Sequence, residues 1–186
     1  MRLCLGCKAD WPQLLAEEDV WACLPEVRRL GLWPYEGTVR RLLVQAKDIP
    51  HGAQAWALRR AVQAVVKEQG WIAGLPQEAL WCVAPPSWKR LSRDWYLPRF
   101  LMPAFGVRGR RLLGRRRQRR DQADLSGAER RANLRGQFRM QRRGLESPVV
   151  VVDDVSTTGA TLQEAGRALR EGGVKEVVGV AIAVVL

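Results

Sequence analysis

The stretch VVVVDDVSTTGATL, Val149 to Leu162, sets two adjacent carboxylates directly after an apolar run and follows them with small hydroxyl residues and a glycine. A short continuous apolar run suits a strand covered on both faces, and the spacing predicts a strand over Pro148–Val152. Leu162, Ala165 and Leu169 then recur at helical intervals until Gly172 and Gly173, which predicts a helix over Ala160–Glu171. A second apolar run, Glu176–Leu186, completes a strand, helix, strand unit whose length implies a parallel crossover. In an open parallel sheet, ligands bind at the carboxyl ends of the strands. Asp153 and Asp154 fall at such an end, and Thr157, Thr158, Gly159 and Thr161 lead into the first helical turn. The free amides and positive end of that helix favour a phosphate, and the threonine hydroxyls add donors. Carboxylates repel phosphate, but they accept hydrogen bonds from the vicinal hydroxyls of a ribose. The stretch describes a cradle for a ribose 5-phosphate. Neither GxxxxGK[ST] nor a GxGxxG after a strand is present, which tells against the two commonest nucleotide folds.

Upstream, Val39, Leu42, Leu43 and Ala46 sit at helical spacing, as do Ala55, Leu58, Val62 and Val65. Leu80 to Ala84 reads as a short strand ended by Pro85 and Pro86. Arg90 to Phe105 reads as partly helical, with Pro98 and Pro103 interrupting it. Ala128 to Phe138 reads as a short helix and turn. The chain of 186 residues fits one domain with a small appendage: a cysteine knuckle over 1–26, then an α/β domain over 27–186. Cys4, Cys7 and Cys23 supply three of the four ligands a structural zinc site needs, with Glu26, His51 or a nearby Asp to complete it. The alternative is a knuckle whose thiols simply pack. Cys82, on a core strand, reads as a small hydrophobe.

Lys and Arg number 31 against 19 Asp and Glu, a formal charge of +12 that points to a polyanionic partner or an anionic substrate. In Arg108 to Arg120, RGRRLLGRRRQRR, eight of thirteen residues are arginine, so the run repels itself and is expected to be solvated until an anion arrives. Three roles suit it: a hood whose arginine forks close over pyrophosphate, a track for a nucleic-acid backbone, or a plain solvated loop. Arg110, Arg111, Arg115, Arg116, Arg117, Arg119 and Arg120 are the candidate nucleic-acid contacts, with Trp88, Trp95 and Tyr96 as stacking platforms for a single strand. The N-terminus lacks the apolar core of a signal peptide and no apolar run is long enough to span a bilayer, so a cytoplasmic protein without membrane insertion is expected.

VVVVDDVSTTGAT resembles the phosphoribosyl pyrophosphate (PRPP) motif of type I phosphoribosyltransferases, and the chain as a whole resembles the ComF family, associated with natural competence and DNA uptake. That second resemblance rests on the cysteine knuckle, WPYEGTVRRLLVQAK, CVAPPSWKRLSRDW and QADLSGAERRANLRGQF. It implies a parallel sheet flanked by helices, with Asp153 and Asp154 on the ribose hydroxyls. Ser156, Thr157, Thr158, Gly159, Ala160 and Thr161 would hold the 5-phosphate. Lys47 and Arg93 would meet pyrophosphate and its Mg²⁺, and Gln122, Arg130, Asn133 and Phe138 match further family positions. Single-stranded DNA and a competence helicase-like protein are the implied partners. Where the family typically reads R-G-F-N-Q, this chain has Arg93, Asp94, Trp95, Tyr96 and Leu97, which favours a binding or sensing role over phosphoribosyl transfer to a nitrogen acceptor.

Overall fold

The structure, a computed structural model, describes residues 21–68, 74–87, 94–116, 134–142 and 144–186. In chain order the elements are β1 (Trp21–Cys23), β2 (Arg28–Pro34), α1 (Gly37–Asp48), α2 (Ala53–Glu68), β3 (Leu80–Val83) and α3 (Leu97–Leu101). A 3₁₀ turn (Met102–Phe105) follows, then β4 (Leu113–Arg115), β5 (Phe138–Met140), β6 (Val149–Ser156), α4 (Ala160–Glu171) and β7 (Val177–Val184). The main sheet has the order β1-β2-β7-β6-β3, and β4 and β5 form a separate antiparallel hairpin. All neighbours in the main sheet are parallel except β1, which pairs antiparallel with β2 at its edge.

The two strands read from the opening stretch lie at the centre of this sheet, which explains their composition. β6 and β7 have a strand on each side and helices on both faces, so apolar side chains suit nearly every position. Val150, Val152, Val178, Val180 and Ile182 face one way, onto Val39, Leu42, Leu43 and Ala46 of α1 and Leu58 and Val62 of α2. Val149, Val151, Val177 and Ala181 face the other way, onto Leu162, Ala165 and Leu169 of α4. All three helical stripes expected from the sequence are therefore core faces.

Some boundaries differ from expectation for identifiable reasons. β6 runs on through both aspartates to Ser156, because β7 still supplies partners at Asp153↔Ala181, Val155↔Ala183 and Ser156↔Val184. A charged side chain at a strand edge leaves the backbone ladder intact. Pro98 does not interrupt a helix: it lies in the first turn of α3, where its missing N–H costs nothing. Pro103 likewise opens the 3₁₀ turn that ends at Gly106. Of the expected helix over Ala128 to Phe138, the described part is a turn at 134–136 followed by β5, which Phe138 opens. No helix among the described residues is long and apolar enough to cross a membrane.

Candidate functional site

The carboxyl end of β6 opens into a cavity of about 210 Å³. Asp153, Val155 and Ser156 line it from the strand, Thr157, Thr158 and Gly159 from the following loop, and Ala160, Thr161 and Leu162 from the first turn of α4. Every residue expected to meet the 5-phosphate is thus a wall of one cavity. Leu134, from the turn before β5, closes it on another side. The helix starts at Gly159, whose φ of +72° lies in the left-handed region, and no side chain caps its first amides. Those amides point at the cavity mouth, an arrangement that suits an anion.

Gly159 is needed for a reason the sequence did not disclose. A Cβ there would lie 2.6 Å from a methyl of Leu24, which belongs to the β1–β2 turn. The same turn reaches further along the helix: a Cβ on Gly166 would lie 2.8 Å from the Glu26 carbonyl oxygen, which accepts a hydrogen bond from Arg170 Nε at 3.0 Å. The phosphate loop and α4 are therefore backed by the β1–β2 turn.

The two aspartates have different surroundings. Asp153 is only 7% exposed, lines the cavity, and accepts the Asp154 amide on its Oδ1 at 2.9 Å. Asp154 Oδ2 lies 3.0 Å from Nζ of Lys47, the penultimate residue of α1. The fold therefore brings Lys47 to the paired acids, across more than a hundred residues of chain. Trp95 fixes the end of α1, since its indole N–H donates to the Ala46 carbonyl at 2.9 Å. Tyr96 donates its hydroxyl proton to the Ala84 carbonyl at 2.7 Å, tying down the proline-rich segment after β3. Trp95 and Tyr96 stand where the pattern R-G-F-N-Q has phenylalanine and asparagine respectively, and both serve packing here. Trp95 is buried, so it offers no face to a nucleic-acid base, contrary to the stacking role expected of it.

The arginine run is only partly a solvated segment. Leu112 and Leu113 are buried, and β4 carries Arg115 against β5. Arg115 Nη1–H donates to Gln137 Oε1 at 2.6 Å, and its guanidinium lies 5.2 Å from the Phe138 ring centre. Burial lowers its pKa, while Tyr96 and Glu164 pull the other way. Arg115 is therefore a packing residue, and it falls from the expected set of exposed backbone contacts. Arg108, Arg110, Arg111 and Arg116 are exposed. Arg117, Arg119 and Arg120 lie outside the described residues, as do Arg93, Trp88, Gln122, Arg130 and Asn133.

Glu164, on α4, ties the hairpin to the helix. Its Oε1 accepts the Phe138 amide at 2.8 Å, and Arg167 donates to both of its oxygens, at 2.7 and 2.8 Å. Arg167 also donates to the Phe138 carbonyl and pairs with Glu171. Burial pushes the Glu164 carboxyl up, but hydrogen bonds from Arg167 and from the Phe138 and Gly136 amides, together with the Arg167 charge, hold it below its ordinary value.

The expected zinc knuckle is represented only by Cys23, an exposed residue of β1; Cys4 and Cys7 lie outside the described residues. Among the described residues no group of three or more His, Cys, Asp or Glu is placed to hold a metal. His51 packs edge-on against Trp95, with ring centres 4.6 Å apart. Cys82 is a core thiol whose pKa burial pushes up to about 12, as its reading as a hydrophobe requires.

Three contributors to the site carried no clear sequence signal: Leu134, Leu24 and Glu164. Only Glu164 had one to offer, a carboxylate on the apolar side of the helix stripe, between Leu162 and Ala165.

Residues 116–186 match the phosphoribosyl transferase domain family. The match spans β5, β6, the phosphate loop, α4 and β7, and less than half of the chain. No curated protein matches the chain significantly. The mostly parallel sheet flanked by helices is the architecture of the type I phosphoribosyltransferase fold.

Proposed function

We propose that the chain binds a phosphoribosyl ligand, PRPP or ribose 5-phosphate, in the cavity at the end of β6, and that it serves DNA uptake as a cytoplasmic ComF-like protein. One observation carries the ligand: Asp153 and the loop from Ser156 to Thr161 wall a single cavity at an uncapped helix N-terminus. The phosphate belongs against the loop amides and hydroxyls, and the ribose hydroxyls belong against the acids. Mg²⁺ fits this reading, because such an ion is held by one or two carboxylates together with the ligand's own phosphates and needs no cage of protein donors. Asp153 and Asp154 are the carboxylates that would hold it, and Lys47 the cation that would share the pyrophosphate charge. The exposed arginines Arg108, Arg110, Arg111 and Arg116 support contact with a single-stranded DNA backbone.

A second reading is favoured by the completeness of the cradle: a working phosphoribosyltransferase of nucleotide metabolism. In it the bond from ribose C1 to pyrophosphate breaks, a bond from a nitrogen nucleophile to C1 forms, and the nucleophile's proton leaves to solvent or base. The protein would then act chiefly by positioning and charge stabilisation. Calorimetric titration with PRPP and Mg²⁺, with and without single-stranded DNA, tests both readings. Binding of PRPP is expected in either case. Release of pyrophosphate on adding nitrogen acceptors would favour the enzyme, and absence of PRPP binding would defeat both.

A further inference from the structure

Arg29 is an uncommon residue for its place. It lies in β2, opposite Gly179 of β7, and is only 9% exposed. Its neighbour Leu30 faces α1 and α2, so the alternation of the strand turns Arg29 toward α4. Gly179 itself carries no side chain, and a Cβ there would lie 2.9 Å from a methyl of Leu162 on α4. The guanidinium extends to Ser156, donating from Nη1 to the hydroxyl oxygen at 3.5 Å, while its Nε is buried without a hydrogen-bond partner. Among the described residues no carboxylate pairs with it, and burial lowers its pKa. Ser156 lies four residues before α4, whose N-terminal partial charge is also positive.

A buried cation with no counter-ion among the described residues is costly to keep. An anion in the adjoining cavity would repay that cost. Ser156 is the link, since it is 3% exposed, lines the cavity and accepts from Arg29. A hydroxyl that accepts from a guanidinium must send its own proton elsewhere, and the cavity is the open direction.

We infer that Arg29 is a positioning residue for the phosphate site: it turns the Ser156 hydroxyl into a donor toward the ligand and supplies a buried positive charge matched to a dianionic phosphate. This rests on the phosphoribosyl reading of the cavity and adds to it a residue from a strand two places away in the sheet, outside the phosphate loop itself. Arg29 holds the ligand's charge and not the fold, so an apolar chain of similar length should replace it without loss of stability.

The test uses the full chain and ribose 5-phosphate, with affinity from calorimetry and the melting midpoint with and without ligand. Arg29→Met is expected to melt at or above the wild-type midpoint without ligand, yet to bind ribose 5-phosphate at least tenfold more weakly. Arg29→Lys should recover part of that affinity, and Ser156→Ala should lose affinity while making Arg29→Met less costly in the double variant. An Arg29→Met protein that melts lower, or does not fold, or binds as wild type does, overturns the inference. Wild-type protein that does not bind ribose 5-phosphate overturns the phosphoribosyl reading and this inference together. Wild-type binding matched by Arg29→Met overturns this inference alone.

Discussion

Lys47 at the end of α1 and Asp154, the neighbour of the cavity-lining Asp153, form an ion pair of 3.0 Å, with side chains only 16% and 10% exposed. The pair neutralises one of two adjacent acids that would otherwise repel each other, and it joins the face built by α1 to the strand that carries the phosphate loop. Replacing Lys47 by Met removes this ion pair. A loss of about 1–3 kcal/mol is expected, between the values for exposed and fully buried pairs. Adding Asp154→Asn should restore most of it. Denaturant titration of the two single variants and the double variant measures the coupling, and strictly additive losses would show that the pair contributes nothing.

Asp153 and Thr158 should separate the two halves of the ligand. Asp153→Asn is expected to weaken ribose 5-phosphate about tenfold, the value of one charge-assisted hydrogen bond, and to leave inorganic phosphate unaffected. Thr158→Ala should weaken both alike. Calorimetry with the two ligands reads the difference, and an Asp153→Asn variant that loses phosphate as readily as ribose 5-phosphate would remove the ribose from the acids.

Gly159→Ala should be costly twice over. The left-handed φ costs a non-glycine residue about 1–2 kcal/mol, and the new Cβ meets Leu24 at 2.6 Å. Leu24→Ala in the same chain should relieve the contact and leave the backbone cost. Thermal unfolding of the pair tells the two contributions apart, and equal melting of both variants would show that the contact is without cost.

Glu164 predicts a pH dependence. Its folded-state carboxyl is held below its ordinary value of 4.5, so its contribution is full above that value and is lost as pH falls through the folded one. Glu164→Gln should cost about 1–3 kcal/mol at neutral pH. The gap from wild type should close in more acidic solution. Urea unfolding at a series of pH values checks this, and a gap that is constant with pH would show that the charge is irrelevant.

For nucleic acid, the informative variant is Arg110, Arg111 and Arg116 to Ala, with the packed Arg115 spared. If all three contact phosphates, the salt dependence of single-stranded DNA affinity should flatten by about two units. An unchanged slope, with PRPP binding lost instead, would give the run to the pyrophosphate hood.

Much of the fold was legible because its central unit is local. The apolar runs of β6 and β7, the stripe of α4 and the acids between them lie within forty residues, and each signal agrees with the others. Lys47 was legible as a candidate only through resemblance, because its partner lies at the other end of the chain. Leu24 and Arg29 gave no signal at all. A leucine in a turn and an arginine in a short apolar segment look ordinary until the sheet sets β2 beside β7 and lays the turn against α4. Trp95 misled for the opposite reason: an aromatic near arginines suggests a stacking platform, and only packing against α1 shows it to be part of the core.

The order of the sheet has a consequence for any attempt to trim this protein. The matching segment, 116–186, contributes β6 and β7 but neither of their outer partners, since β2 and β3 precede it. Cut free, it would present two bare strand edges in which valine, isoleucine and alanine predominate, a template for aggregation. The part of the chain most readily recognised is thus the part least able to stand alone, and a soluble fragment must begin no later than β2.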